Sequence, residues 1–156
     1  MLEIKENASH DTEIEYKENT LTVEDFQELR AAVGWFKAHP LLAERSINGT
    51  LYSICAYAER KTVGMARVIG DGGMTLYVQD VIVHPDYQER GIGKRLMEFV
   101  MNYVKSSAPK GSILQIGLMA SKGKEAFYER FGFVSRPNEK QGAGMQQLIC
   151  IGNVED

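Results

Sequence analysis

Glycine and basic residues are concentrated between Gln88 and Lys94, where the sequence reads Gln-Glu-Arg-Gly-Ile-Gly-Lys. Gly91 and Gly93 can adopt backbone angles that are closed to other residues, and neither has a side chain that would block a ligand. The main-chain amides from Arg90 onward can therefore point at one anion, as they do at the start of many helices. Flanking basic side chains add positive charge. The turn is predicted to bind a ligand that carries a pyrophosphate.

A second residue suited to chemistry is Asp80. Alternation along an extended stretch at residues 74–84 would place its carboxylate in an otherwise apolar row. A carboxylate with little access to water accepts a proton more readily than one on the surface, so Asp80 is a candidate general base. The alternative is structural: Asp80 caps a neighbouring loop or pairs with a basic residue such as Arg67.

The spacing of apolar residues predicts the elements that must position these groups. Residues 51–58, 63–69 and 74–84 are strand-like and are separated by gaps of hairpin length, which predicts an antiparallel meander. Residues 91–107 then form a helix with one apolar face. A buried strand follows at residues 113–119, and this strand–helix–strand order implies a parallel pair joined by a right-handed crossover.

The two ends of the chain add shorter elements. Helical spacing at residues 22–36 and 41–46 precedes the meander, and a weak alternation near the N-terminus suggests an edge strand. After the parallel pair, residues 122–130 fit a helix, and residues 133–134 and 145–151 read as strands. The predicted fold is therefore α/β, with a single mixed sheet: antiparallel N-terminal strands, a central parallel pair and about four helices.

Length and composition suit one folded domain. The chain has 156 residues, of which 44% are hydrophobic and 25% charged, which is close to the average for a soluble protein. We expect a single domain over residues 1–156, with residues 1–20 as a loose segment or edge strand. An apolar run of the ~20 residues that span a bilayer is absent from the sequence, and so is a secretion signal. The expected location is the cytoplasm, without membrane contact.

The net charge and the positions of Cys and His argue against a nucleic-acid binder and against a metal-binding protein. The net charge of −3 and the lack of a clustered basic face argue against a nucleic-acid binder. Cys55 and Cys150 lie far apart and are expected to be buried and reduced. The three histidines are scattered as well, so no metal site is expected.

The glycine turn does not fit two common nucleotide motifs. A Walker P-loop needs a glycine five residues before Gly-Lys and then Ser or Thr, but Gly93-Lys94 is followed by Arg95. A dinucleotide fingerprint needs a third glycine at position 96, which is Leu96 here. The pyrophosphate is therefore not expected to belong to a ligand bound in either of those ways.

The segment Gln88-Glu89-Arg90-Gly91-Ile92-Gly93, preceded by Val81-Ile82-Val83-His84-Pro85, resembles the signature of the GCN5-related N-acetyltransferase superfamily. The resemblance covers about residues 20–151 and implies that the sheet is splayed around acetyl-coenzyme A. It implies that the backbone of Ile82 and Val83 pairs with the pantetheine arm. It also implies that the pyrophosphate is held by Gln88, Arg90, Gly91, Ile92, Gly93 and Lys94.

A second match to this family lies in the stretch from Glu125 to Phe133, Glu-Ala-Phe-Tyr-Glu-Arg-Phe-Gly-Phe. The resemblance implies that Tyr128 lies near the coenzyme sulfur and protonates the leaving thiolate. A phenol with a pKa of roughly 10 can act in this way. Alternatively, Tyr128 is a plain core aromatic. The chain departs from the histone-modifying branch at Tyr77, where that branch carries a glutamate.

The resemblance implies an N-acetyltransferase that moves an acetyl group from acetyl-coenzyme A to a primary amine by direct attack. The acidic N-terminal segment, together with Trp35, Phe36, Tyr52 and Tyr57, favours a small cationic or aryl-bearing acceptor such as a polyamine or an aralkylamine. Two alternatives stay open: a protein lysine or N-terminal amine as acceptor, and a non-catalytic acyl-coenzyme A-binding module. The last strand is also a candidate for contacts in a homodimer.

Overall fold

The computed structural model describes residues 12–152. The chain divides into two compact units, one that ends at Leu118 and one that begins at Met119. The first unit contains the sheet, three helices and the glycine turn. The second unit contains one short helix and the C-terminal segment.

The sheet of the first unit has five strands in chain order: β1 (Ile14–Glu18), β2 (Tyr52–Ala58), β3 (Lys61–Gly70), β4 (Thr75–Val83) and β5 (Gln115–Gly117). The strands from β1 to β4 pair in antiparallel fashion, and β5 pairs in parallel with β4. The predicted mixed sheet, with antiparallel strands followed by a parallel pair, is confirmed.

Three helices complete the first unit: α1 (Val23–Ala32), α2 (Pro40–Asn48) and α3 (Ile92–Ser106). The hydroxyl of Thr22 accepts a hydrogen bond from the Asp25 amide at 3.1 Å, which fixes the start of α1. Pro40 occupies the first turn of α2, where its missing amide hydrogen costs nothing. All three helices lie where the apolar spacing predicts them, within a few residues at each end.

The helices cover both faces of the sheet. On one face, Leu21, Phe26, Leu29, Ala43, Cys55, Met65 and Ile82 form a buried cluster with residues of α1 and α2. On the other face, a Cβ atom at Gly64 would lie 3.3 Å from Ile92 Cγ2 and 3.2 Å from Leu96 Cδ1. Gly64 therefore lets the N-terminal half of α3 pack closely on β3. This contact sets the position of the glycine turn that opens α3.

Strand β4 carries one extra residue relative to β3. Met65 pairs with Ile82 and Val68 with Val78, so three steps along β3 match four along β4. Met65 and Val68 point to opposite faces because they are an odd number of residues apart, and so do their partners. The bulge includes Asp80, whose φ of 55° is left-handed. The single apolar row predicted for this strand is therefore wrong: Val78 faces α3, whereas Ile82 faces α1 and α2.

The second unit has little regular structure in its described part. Its helix α4 (Glu125–Glu129) is shorter than the helix predicted at residues 122–130. No strand is present at residues 133–134 or 145–151, so both predicted strands are wrong for the structure described. Apolar, β-prone sequence specifies a strand only where a neighbouring strand accepts its hydrogen bonds.

Large apolar side chains in these stretches are exposed instead: Val134, Met145, Leu148, Ile149 and Ile151. Cys150 is exposed with them, whereas Cys55 is buried as expected. Within residues 12–152, no helix is long and apolar enough to cross a bilayer.

Candidate active site

The glycine turn forms the N-terminal cap of α3. Gly91 has φ 77° and ψ 7°, and no side chain caps the helix. A Cβ atom at Gly91 would meet nothing within 4 Å, so the space against the main chain is open. Glu89 is also left-handed, with φ 62°. Two left-handed residues in a short turn before an uncapped helix leave the first amides of α3 available to an anion.

The polar side chains of the turn have defined partners. Gln88 Nε2 donates to the Val83 carbonyl oxygen at 3.0 Å. Arg90 Nη2 donates to the Asp86 carbonyl oxygen at 3.2 Å, and the Arg90 guanidinium lies 5.0 Å from the Tyr87 ring centroid. Lys94 is exposed. The turn is thus tied to the end of β4 through Gln88, and its positive charge lies at the start of α3.

Arg95, one turn into α3, has an acidic partner in its own helix. Its Nη1 lies 2.9 Å from Glu98 Oε2, and its guanidinium lies 4.6 Å from the Phe99 ring centroid. Arg95 is therefore partly neutralised, and it contributes less to an anion site than the sequence suggested.

The open edge of β4 lies beside this turn. β5 pairs with β4 from Thr75 to Tyr77, and none of the described strands covers that edge of β4 beyond Tyr77. The amide of His84 donates to Val63 on the opposite side at 2.7 Å. Because successive residues of a strand direct their polar groups to opposite edges, the amide and carbonyl of Val83 face the open edge. Ile82 has a buried side chain on the α1 and α2 face.

Asp80 is buried between two arginines. Its Oδ1 lies 2.8 Å from Arg30 Nη1, and its Oδ2 lies 2.7 Å from Arg67 Nη2. The Asp80 side chain is 0% exposed. The pairing with Arg67, offered above as the alternative for this residue, is present. This geometry does not suit a general base, because protonation of either oxygen would weaken a charge-assisted hydrogen bond.

Tyr128 lies on α4 in the second unit. Its half-buried ring makes edge contacts with Phe127 and Phe133, at centroid distances of 4.9 Å and 6.2 Å. Burial raises the pKa of Tyr128 above its ordinary value of 10.0. The phenol therefore stays protonated across the neutral range, which is the form that an acid needs. These contacts also fit a packed aromatic, so the acid role stays a prediction.

The four aromatic residues predicted for the acceptor site differ in environment. Trp35 and Phe36 are 37% and 69% exposed after the end of α1. The Tyr52 hydroxyl donates to Glu18 Oε1 at 2.7 Å, and the Tyr57 hydroxyl lies 2.8 Å from that of Thr20. Trp35 and Phe36 are therefore accessible to a ligand, whereas the two tyrosine hydroxyls already have partners.

Arg30 is a residue that the sequence analysis missed. It lies in the last turn of α1 with 7% exposure, and its guanidinium is 5.0 to 5.3 Å from the rings of Phe26, Trp35 and Phe36. The sequence signal is an arginine with aromatic residues four positions before it and five and six positions after it. Within residues 12–152, no group of three or more His, Cys, Asp and Glu side chains could hold a metal ion.

Comparison with known proteins identifies the family. The model of the acetyltransferase (GNAT) domain matches residues 16–148, which include strands β2 to β5, the glycine turn and α4. The chain belongs to the GNAT acetyltransferase family. Both stretches that carried the resemblance, at Gln88 and at Tyr128, lie inside the matched region. The family model and the relatives indicate an enzyme, an N-acetyltransferase.

Individual GNAT proteins agree with this assignment. An uncharacterized N-acetyltransferase from Prochlorococcus marinus is 29% identical over 122 residues, which are 76% of this chain and 66% of that relative. The chloroplastic GCN5-related N-acetyltransferase 1 of Arabidopsis thaliana is 31% identical over 78% of this chain and 61% of its own length. The chain thus spans about two thirds of the length of these relatives. Its location in the cytoplasm stays a prediction.

A solved structure of a GNAT family acetyltransferase from Streptococcus pneumoniae is also similar. It shares 29% sequence identity with this chain and superposes with a TM-score of 0.72 over 88% of this chain and 98% of its own. The GNAT fold is therefore supported by structure as well as by sequence.

Proposed function

We propose that this protein transfers an acetyl group from acetyl-coenzyme A to a primary amine by direct attack of the amine on the thioester. The observation that carries the proposal is the uncapped, left-handed turn at Gly91 beside the open edge of β4 at Val83. The turn suits an anion, and the strand edge suits an extended chain with amide groups. Coenzyme A has both a pyrophosphate and an amide-bearing arm.

The turn residues fit the phosphate part of this ligand. Gly91 leaves the space of a side chain open, and the first amides of α3 lack a side-chain cap. We assign the pyrophosphate to Gln88, Arg90, Gly91, Ile92, Gly93 and Lys94, and the pantetheine arm to the backbone of Ile82 and Val83. Val83 is the stronger of these two assignments, because its amide faces the open edge, whereas its carbonyl oxygen also accepts from Gln88 Nε2. Bound acetyl-coenzyme A supplies the acetyl group as a reactive thioester.

Two proton transfers accompany this reaction. The acceptor amine must lose its proton before its lone pair can attack, and water takes this role better than Asp80, whose two oxygens already hold arginines. The departing thiolate must gain a proton, which we assign to the Tyr128 hydroxyl. The raised pKa of Tyr128 keeps that proton in place until it is needed. We expect Tyr128→Phe to lower kcat strongly and to leave acetyl-coenzyme A affinity nearly unchanged.

For the acceptor we propose a small polyamine or aralkylamine. Exposed Trp35 and Phe36 can stack on an aryl group or attract a cation through the ring faces that Arg30 does not occupy. Exposed Glu24 and Glu28 add negative charge to α1, the helix that precedes Trp35 and Phe36. A protein lysine or N-terminal amine is the alternative acceptor, and binding without transfer is the alternative activity.

An acceptor screen tests these proposals. The protein is mixed with acetyl-coenzyme A and, in turn, polyamines, aralkylamines and lysine-containing peptides, and free thiol and acetylated product are both measured. With small amines we expect the protein to release free thiol from acetyl-coenzyme A, and Tyr128→Phe should slow that release. Peptides as the better substrates would overturn the small-molecule acceptor. Acetyl-coenzyme A binding without thiol release from any amine would establish the binding module instead.

We also propose that the chain forms a homodimer through its C-terminal segment, residues 145–151. Met145, Leu148, Ile149 and Ile151 are 68% to 90% exposed, and the segment has no charged residue. An uncharged, β-prone apolar stretch suits a self-complementary contact with a second copy better than a charged partner. Light scattering after size exclusion should give a dimer mass that Leu148→Lys reduces to a monomer mass. A wild-type monomer at all concentrations would overturn the proposal.

A further inference from the structure

Arg30, Arg67 and Asp80 form a buried cluster with an excess of positive charge. Three hydrogen bonds join them: Arg30 Nη1 to Asp80 Oδ1 at 2.8 Å, and Arg67 Nε and Nη2 to Asp80 Oδ2 at 2.9 and 2.7 Å. The side chains are 9%, 6% and 0% exposed. Buried charges are stable only when they are paired and hydrogen-bonded, so both arginines depend on this one carboxylate.

The cluster joins four elements of the first unit. Arg30 comes from α1, Arg67 from β3 and Asp80 from β4. Arg67 Nη1 also donates to the carbonyl oxygen of Ser46 on α2 at 3.1 Å and to the Thr50 hydroxyl oxygen at 2.9 Å. Asp80 therefore connects β4 to α1 through Arg30, and to α2 through Arg67. The proposed acceptor residues, Trp35 and Phe36, lie between these two helices in the chain.

Arg30 also connects Asp80 to the exposed aromatic residues. Its guanidinium lies 5.3 Å from the Trp35 ring centroid and 5.0 Å from that of Phe36. Its Nη2 donates to the Phe36 carbonyl oxygen at 3.4 Å. Its buried Nε atom has no hydrogen-bond partner. The short, charged contact with Asp80 therefore holds the Arg30 guanidinium in place. Arg30 in turn contacts Phe36, in the chain that follows α1.

The backbone of Asp80 has a second role in the same place. Its φ of 55° is a left-handed conformation, which glycine adopts freely and which Asp and Asn tolerate better than other residues. The bulge that results reverses the faces of β4 just before Ile82 and Val83, on the part of β4 whose edge is open. A glycine here would allow the bulge but could not anchor it. Aspartate allows the bulge and also fixes it to α1 and β3.

From these contacts we infer that Asp80 is a positioning residue for acetyl transfer. Held by Arg30 and Arg67, it fixes the bulge of β4 relative to α1 and α2, and so aligns the acceptor surface at Trp35 and Phe36 with the strand edge at Val83. It does not itself accept the proton of the amine. This inference rests on the proposed function, because the alignment matters only if an amine is bound beside the strand edge.

The test compares Asp80→Asn with Asp86→Asn, which makes the same change at an exposed aspartate. The asparagine at position 80 keeps the shape and tolerates the left-handed backbone, but it loses the charge that holds two arginines. We expect kcat with the best amine to fall about 10- to 100-fold, as for a small misplacement of reacting groups. Acetyl-coenzyme A affinity should fall by a smaller factor than kcat, because the glycine turn at Gly91 is left intact. The midpoint of the acidic limb of kcat/KM against pH should stay as in the wild type. Asp86→Asn should leave kcat, acetyl-coenzyme A affinity and this midpoint unchanged.

Two kinetic outcomes would overturn the inference. If Asp80→Asn removed the acidic limb of the pH profile, Asp80 would be the general base. If the folded fraction of Asp80→Asn had wild-type kcat and KM, the cluster would serve stability alone. Arg67→Lys provides a second variant in case Asp80→Asn fails to fold, since it keeps the charge of the pair and loses the two-point contact. Arg67→Lys should lower kcat, as Asp80→Asn does.

Hydrogen exchange separates this inference from the proposed function. The amides of residues 81–83 should exchange faster in Asp80→Asn than in Asp86→Asn, with no substrate present. If the wild-type protein bound acetyl-coenzyme A but acetylated no amine, the proposed function would fail, and faster exchange would still support the role of Asp80 in holding β4. Equal exchange in the two variants would overturn that role.

Discussion

Replacing Asp80 with alanine should destabilise the first unit strongly. Removal of one partner from a buried ion pair costs about 3–5 kcal/mol of unfolding free energy. Here we expect the lower end, about 3 kcal/mol, because Arg67 keeps its bonds to Ser46 and Thr50. Alanine at φ 55° adds about 1 kcal/mol of backbone strain. The sum for Asp80→Ala is therefore about 4 kcal/mol, a large share of the ~5–15 kcal/mol that stabilises a typical protein.

Asp80→Gly isolates the electrostatic part of this effect. Glycine removes the same carboxylate but adopts the left-handed backbone without strain, so its cost should be about 3 kcal/mol, roughly 1 kcal/mol less than that of alanine. Urea unfolding followed by fluorescence suits the measurement, because the single tryptophan, Trp35, lies beside Arg30. A loss below 1 kcal/mol in both variants would refute the argument that Asp80 holds the two arginines. Equal losses in the two variants would refute the strain estimate.

Three further predictions concern other buried groups. Burial raises the pKa of the Cys55 thiol to about 11, so a thiol reagent at neutral pH should modify exposed Cys150 quickly and Cys55 only on unfolding. Burial and the bond to Glu18 raise the pKa of Tyr52 above 10.0. The contribution of Tyr52 to the free energy of unfolding should therefore be complete below pH 10 and should decline as the pH rises further. In urea unfolding at a series of pH values, Tyr52→Phe should show a smaller alkaline decline than the wild type. Gly64→Ala should cost about 1–3 kcal/mol in urea unfolding, because its Cβ would lie 3.2 Å from a side-chain carbon of α3.

The sequence predicted the elements that depend on local pattern. The spacing of apolar residues gave α1 to α3 and the meander, since helices and strands with a buried face repeat apolar residues at a fixed period. The glycine turn was predictable because Gly91 needs φ 77°, which few other residues adopt. The match of the family model to residues 16–148 is in accord with the two motifs seen in the sequence.

What the sequence did not show depends on contacts between distant residues. The bulge at Asp80 reverses the faces of β4, and simple alternation cannot reveal an extra residue. Arg30 is 50 positions away from its partner Asp80, so no local pattern links them. The strand predicted at residues 145–151 is absent from the described structure because strand formation depends on a neighbour and not on composition alone.

The most direct test of the central claim is the ratio of thiol released to amide formed. Wild-type protein with acetyl-coenzyme A and its best amine should give one acetylated amine for each free thiol. Gly91→Asp, which places a negative charge in the anion site, should abolish both; Gly111→Asp, at another open left-handed glycine of the same unit, should retain both. Thiol release that does not depend on the amine, or unchanged transfer by Gly91→Asp, would contradict acetyl transfer at this turn.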